Sequence, residues 1–137
     1  MKITVETEVK APLESVWNSW LQPDDITQWN FADESWHCPW AEVDAVVGGK
    51  MRSRMEAKDG SEGFEFEVSF TRVEPQKLLH YVMDDGREVE VVFTKTATGT
   101  KVVETFDAEN VYPPEMQQAG WQSILNNFKK YVESKTS

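Results

Sequence analysis

The stretch from Pro113 to Glu133 constrains the fold most, because it carries one long apolar stripe that something else must cover. Trp121, Ile124, Leu125, Phe128 and Val132 fall at i, i+3, i+4, i+7 and i+11, the spacing of one helix face. Gln118, Gln122, Lys129 and Glu133 take the opposite face. Pro113 and Pro114 fit a first turn, where a missing N–H costs nothing, and Glu115 sits near the positive end of the helix dipole. About 20 residues at ~1.5 Å each make a rod of roughly 30 Å, as long as a small domain is wide.

The residues ahead of that helix read almost entirely as strands. Residues 2–10 alternate, with Ile3, Val5 and Val9 in one phase and Thr7 among them, which predicts a half-buried strand. Ala11-Pro12 opens a short helix whose Leu13, Val16, Trp17, Trp20 and Leu21 share a face. Pro23-Asp24-Asp25 starts a second short helix containing Ile26 and Trp29. Asn30 to Trp40 has no clear period and is expected to be an ordered aromatic loop. From there a meander is predicted. Its strands are 42–47, 50–57, a run in which Phe64, Phe66, Val68 and Phe70 alternate with polar residues, 78–83, 87–96 and 100–107. Gly48-Gly49 is read as a two-residue hairpin turn, with further turns at Asp59-Gly60, Asp84-Asp85-Gly86 and Thr98-Gly99. The order is β-α-α-β-β-β-β-β-β-α. This is an α+β fold in which an antiparallel sheet of about seven strands wraps around the long C-terminal helix.

Composition narrows the function classes. The 137 residues fit one domain, 1–137. With 14 Lys+Arg against 24 Asp+Glu, the formal charge of −10 has the wrong sign for nucleic acid or an anionic membrane. Residues 1 to 30 hold no apolar signal-like core, and no run approaches the ~18 apolar residues of a membrane span, so a cytoplasmic location is expected. Cys38 is the single cysteine, which allows no internal disulfide. Five of the six tryptophans (Trp17, Trp20, Trp29, Trp36 and Trp40) lie in the first third of the chain.

The element order resembles the helix-grip fold of the START/SRPBCC superfamily, which includes the birch-pollen allergen, lipid-transfer and polyketide-cyclase proteins. Ala11-Pro12 with Val16-Trp17, Trp29-Asn30, Asp44 with Gly48-Gly49-Lys50, Asp59-Gly60, Asp85-Gly86-Arg87, Glu104-Thr105-Phe106, and Gly120-Trp121-Gln122 with Leu125 and Phe128 are similar to the family of homologues of the activator of the heat-shock protein 90 ATPase. The resemblance runs from the first strand to the last helix. It implies a pocket between helix and sheet suited to a hydrophobic ligand, and it assigns no reaction. The co-chaperone itself has a further N-terminal domain. The chain as read begins at the first strand of the grip domain.

Strand phase nominates the pocket lining. Val89, Val91 and Phe93 are placed toward the helix, with Arg87 on the same side by alternation. A two-residue turn at Thr98-Gly99 puts Val102, Glu104 and Phe106 inward, whereas a three-residue turn would flip them. The resemblance favours the inward phase, since relatives keep an apolar residue where Glu104 stands. Glu104 then reads either as a polar anchor for a ligand, its pKa raised by desolvation, or as the partner of Arg87 or a tryptophan N–H. Tyr81 and Met83 share the inward phase with Leu79, leaving His80 outside. Phe66, Phe93, Trp121 and Leu125 complete the expected wall, although aromatics at such spacing also simply form core. Gly120 is expected to let an aromatic approach the helix closely or to open room beside Trp121.

No catalytic, metal or cofactor residue is nominated. His37 and Cys38 are neighbours that point apart in an extended segment, and no third group orients the histidine. Together with His80 they match no zinc spacing. Glu65/Glu67 and Glu88/Glu90 read as solvated outer faces. Three functions are compatible with these residues. The first is a cytoplasmic protein binding a hydrophobic or amphipathic small molecule, of the lipid-binding kind. The second is a stress-response module docking on heat-shock protein 90. The third is a cyclase- or hydrolase-like enzyme using Glu104 as base and Arg87 as oxyanion stabiliser.

Overall fold

The computed structural model describes residues 1–136. Strand β1 (Lys2–Val9) is followed by helices α1 (Leu13–Leu21) and α2 (Pro23–Trp29). The strands β2 (Trp36–Val43), β3 (Lys50–Ala57), β4 (Gly63–Glu74), β5 (Leu78–Met83), β6 (Glu88–Lys95) and β7 (Thr100–Asp107) come next, and then helix α3 (Pro114–Thr136). All strands join one antiparallel sheet in the order β1-β7-β6-β5-β4-β3-β2, so the α+β helix-grip architecture expected from the pattern is the one observed.

That order dictates the role of α1 and α2. The chain leaves β1 at one edge of the sheet and must re-enter at β2 on the other. The two short helices make that crossing, and Val16, Trp17, Trp20, Leu21, Ile26 and Trp29 bury their shared face in the same core as α3. From α3, Leu125, Phe128 and Val132 are fully enclosed. Phe128 sits in an aromatic cluster, 4.9 Å from the Trp20 ring and 4.8 Å from that of Trp29. Burying such side chains contributes about 2–3 kcal/mol each.

The polar row of α3 is not simply solvated. It seals the edge strand β1, whose outer carbonyls lack a sheet partner. Gln122 donates its amide to the Glu6 carbonyl at 3.1 Å and Gln118 donates to that of Thr4 at 3.4 Å, while the Lys10 N–H donates to Glu133 at 2.8 Å.

Three local readings are corrected. Trp36–Trp40 is not loop: it forms the first half of β2, with a register shift between His37 and Trp40 where Pro39 cannot donate to the ladder. β2 also stops at Val43, so 44–49 is a longer connection that leaves Val46 and Val47 exposed. Its hydrogen bonds run from Asp44 N–H to the Lys50 carbonyl, from Gly49 N–H to that of Val46 and from Gly48 N–H to that of Phe70. The connection between β6 and β7 is four residues long, because Lys95 pairs with Thr100. An even count preserves the side-chain phase. Phe93 therefore opposes Val102, Val91 opposes Glu104, and Val89 opposes Phe106, all toward the helix side.

Candidate functional site

The helices and the sheet do not close completely on one another. A cavity of about 160 Å³ remains between them. Trp20, Ile26 and Trp29 wall it from α1 and α2, Met51 and Met55 from β3, Phe64 and Phe66 from β4, and Trp121 and Ile124 from α3. Phe64 is 51% exposed, so the wall reaches the surface at β4. The indole of Trp121 is held by stacking on Phe106 at 3.8 Å and by the edge of Phe66 at 6.5 Å. The indole N–H of Trp29 donates to the Ser19 carbonyl at 3.0 Å, which fixes that ring.

Four polar side chains interrupt the apolar lining. Asn30 donates its amide to the buried hydroxyl of Ser53 at 3.0 Å, a self-satisfied pair. Tyr81 and Glu104 are the other two. Glu104 is only 6% exposed, and among the described residues its carboxyl makes no hydrogen bond or ion pair. Burial alone pushes its pKa from 4.5 up to about 8, so it is mostly protonated at neutral pH. Burial also drives the Tyr81 phenol well above its ordinary value, the Glu104 charge adds to that, and the Trp20 indole opposes it. The site therefore offers a neutral phenol beside a carboxyl poised to ionise near physiological pH.

Of the eight residues nominated from the sequence, Phe66, Tyr81, Glu104 and Trp121 come together on this cavity. The other four do not line it. Phe93 is buried under Trp17 and Trp20, at 5.2 and 5.8 Å, because α1 fills that part of the grip. Leu125 is buried in the core one turn beyond Trp121, and Met83 is buried opposite Val68 near the end of its strand. Arg87 bonds Asp85 at 2.7 Å and lies 3.9 Å from Glu109, partly exposed. It pairs with neither Glu104 nor the cavity, which removes the oxyanion stabiliser from the enzyme reading. The lining that strand phase failed to nominate was partly visible: Met51, Ser53 and Met55 alternate with Arg52 and Arg54 along β3. Trp20, Trp29 and Asn30 carried no comparable signal, since the orientation of α1 and α2 is a long-range outcome.

Elsewhere, His37 bonds Glu56 at 3.1 Å, and burial lifts the Cys38 thiol to about 11, so the two do not form a nucleophile and base. Among the described residues no group of three or more His, Cys, Asp or Glu is placed to hold a metal ion, and no helix is long and apolar enough to cross a membrane.

A long helix gripped by a seven-stranded sheet, with a small cavity kept between them, defines a helix-grip protein of the START/SRPBCC type. Within it, the chain belongs to the family described as activator of Hsp90 ATPase homolog 1-like protein, whose pattern matches residues 10–133. It is similar to an AHSA1-like protein from Aeromonas hydrophila solved by solution NMR, with 52% identity over 99% of this chain and 94% of that one, and a TM-score of 0.93. A protein from Cytophaga hutchinsonii is 45% identical over 98% of this chain and 94% of its own, with a TM-score of 0.84. A protein from Chromobacterium violaceum, 23% identical over 97% of this chain and 98% of its own, shares the fold at a TM-score of 0.87. No curated protein matches the chain.

Proposed function

We propose that this protein, acting as one cytoplasmic domain, binds a hydrophobic or amphipathic small molecule in the cavity between α3 and the sheet. The observation that carries the reading is Glu104: a buried carboxyl facing an aromatic cavity with no protein partner among the described residues. Such a group costs stability unless something else satisfies it. A panel of lipids and aromatic metabolites, followed by the indole N–H signals of Trp20 and Trp121, tests the proposal. Binding should shift those signals, and Ile124→Phe, which fills the space, should abolish the shifts while the protein stays folded. A panel that leaves both indoles unmoved would remove the proposal.

A second reading, a partner of heat-shock protein 90, is favoured by the family's description and by the acidic net charge of −10, which suits a basic docking face. Stimulation of the ATPase of the host's own chaperone supports it, and no stimulation at saturating protein removes it.

A further inference from the structure

We infer that the cavity is built for a small organic cation, an ammonium group bearing apolar substituents, with its charge on Glu104 and its substituents against the rings of Trp20, Phe66, Tyr81 and Trp121. This inference rests on the cavity-binding reading above and specifies its ligand.

Charge comes first. Among the described residues, Glu104 is the only carboxyl lining the cavity, and no lysine, arginine or histidine lines it. On its neighbouring strands it faces Val5 of β1 and Val91 of β6, neither of which titrates. The described residues that line the cavity from α1, α2, α3, β3 and β4 carry no titratable group either, and among the described lining residues Tyr81 of β5, a neutral phenol, is the one titratable neighbour. An anion would find no cationic partner in that lining and would be repelled as soon as Glu104 ionised. A purely apolar guest would leave the carboxyl facing hydrocarbon, still without a partner. A cation satisfies it.

The walls agree. Indole, phenol and phenyl faces carry negative quadrupoles that attract an ammonium group, most strongly when it is desolvated. The size sets the class: a cavity near 150 Å³ accommodates a benzene-sized guest, so about 160 Å³ admits a compact head and not a long chain. Burial raises the Glu104 pKa to about 8, so the cation displaces a proton as it binds. The ionised fraction is about one tenth at pH 7 and about nine tenths at pH 9, so affinity for a permanent cation should rise about tenfold between them. A neutral acceptor bonded to the protonated carboxyl would weaken by about the same factor.

Choline and 3,3-dimethylbutan-1-ol have the same shape, with nitrogen in one replaced by carbon in the other. Each is titrated into the full-length protein at pH 7 and pH 9, with toluene as an apolar control and indole N–H shifts as the readout. Choline should bind more tightly than its neutral isostere at pH 9 and gain about tenfold from pH 7, while the isostere gains nothing. Glu104→Gln should lose the preference for choline and keep toluene. Should that variant fail to fold, the wild-type comparison at two pH values decides alone. Equal affinities at pH 9, or a choline affinity flat with pH, would overturn the ammonium assignment and leave the cavity reading standing. No response to choline, isostere or toluene would overturn both.

Discussion

Replacing Glu104 with Gln keeps the shape of the side chain and removes its titration. Burial holds the folded-state carboxyl at about 8 against the ordinary 4.5. Between those values the folded chain retains a proton that the unfolded chain has released. Stability contributed by the protonated group is therefore complete below about 4.5 and is lost as pH rises toward 8. At about 1.4 kcal/mol per pH unit, the loss is about 3 kcal/mol by pH 7 and about 5 kcal/mol above pH 8. The variant does not titrate there, so its advantage over wild type should grow by those amounts from pH 4 to pH 9. Other carboxylates shift the opposite way, such as Asp107, lowered by its bond from Lys2, and Glu133, lowered by its bond from Lys129. They are common to both proteins and cancel in the difference. Urea unfolding followed by tryptophan fluorescence at four or five pH values measures it. A difference that stays constant across that range would show instead that Glu104 is solvated or paired in the folded chain.

Three further substitutions probe the frame around the site. A Cβ added to Gly120 meets nothing within 4 Å, so no aromatic presses on that position. Gly120→Ala should raise stability by about 1 kcal/mol from helix propensity, read as a higher urea midpoint. Gly49→Ala should do the reverse by about 1–3 kcal/mol, because its Cβ would lie 2.2 Å from the Asp44 carbonyl oxygen, and thermal unfolding reads the loss. Ser53→Ala removes the hydroxyl that accepts from the Asn30 amide, which still reaches the Cys38 thiol, and should cost about 1 kcal/mol in denaturant unfolding, while leaving the pH dependence assigned to Glu104 intact.

Much of the fold could be read from the chain because period and topology agree. The apolar stripe of α3 and the alternation of β4 to β7 point one way, whereas the phase of Glu104 hung on a turn length that strand period alone left open and that the four-residue connection from Lys95 to Thr100 fixes as inward. The reading failed where local irregularity hides the period. Pro39 and the bulge beside it made the start of β2 look like loop, and two valines outside the sheet made its end look longer. The site was half legible for a different reason. Phase tells which side of the sheet a residue faces, but not whether a helix residue already occupies the space above it. Trp17 and Trp20 cover Phe93, and the local ion pairs of Arg87 draw it aside, both outcomes of packing between segments distant in sequence. Gly120 shows the same limit, since an empty flank and a crowded one read alike.

Glu104 is buried and without a partner among the described residues, and the proposed cavity function requires that a ligand reach it. A 13C NMR titration of the Glu104 side-chain carboxyl, from pH 4 to pH 10, tests all three at once when repeated with saturating choline. The predicted midpoint is about 8 in the free protein, moving down when the cation is present. A midpoint near the ordinary 4.5, unmoved by the cation, would contradict it.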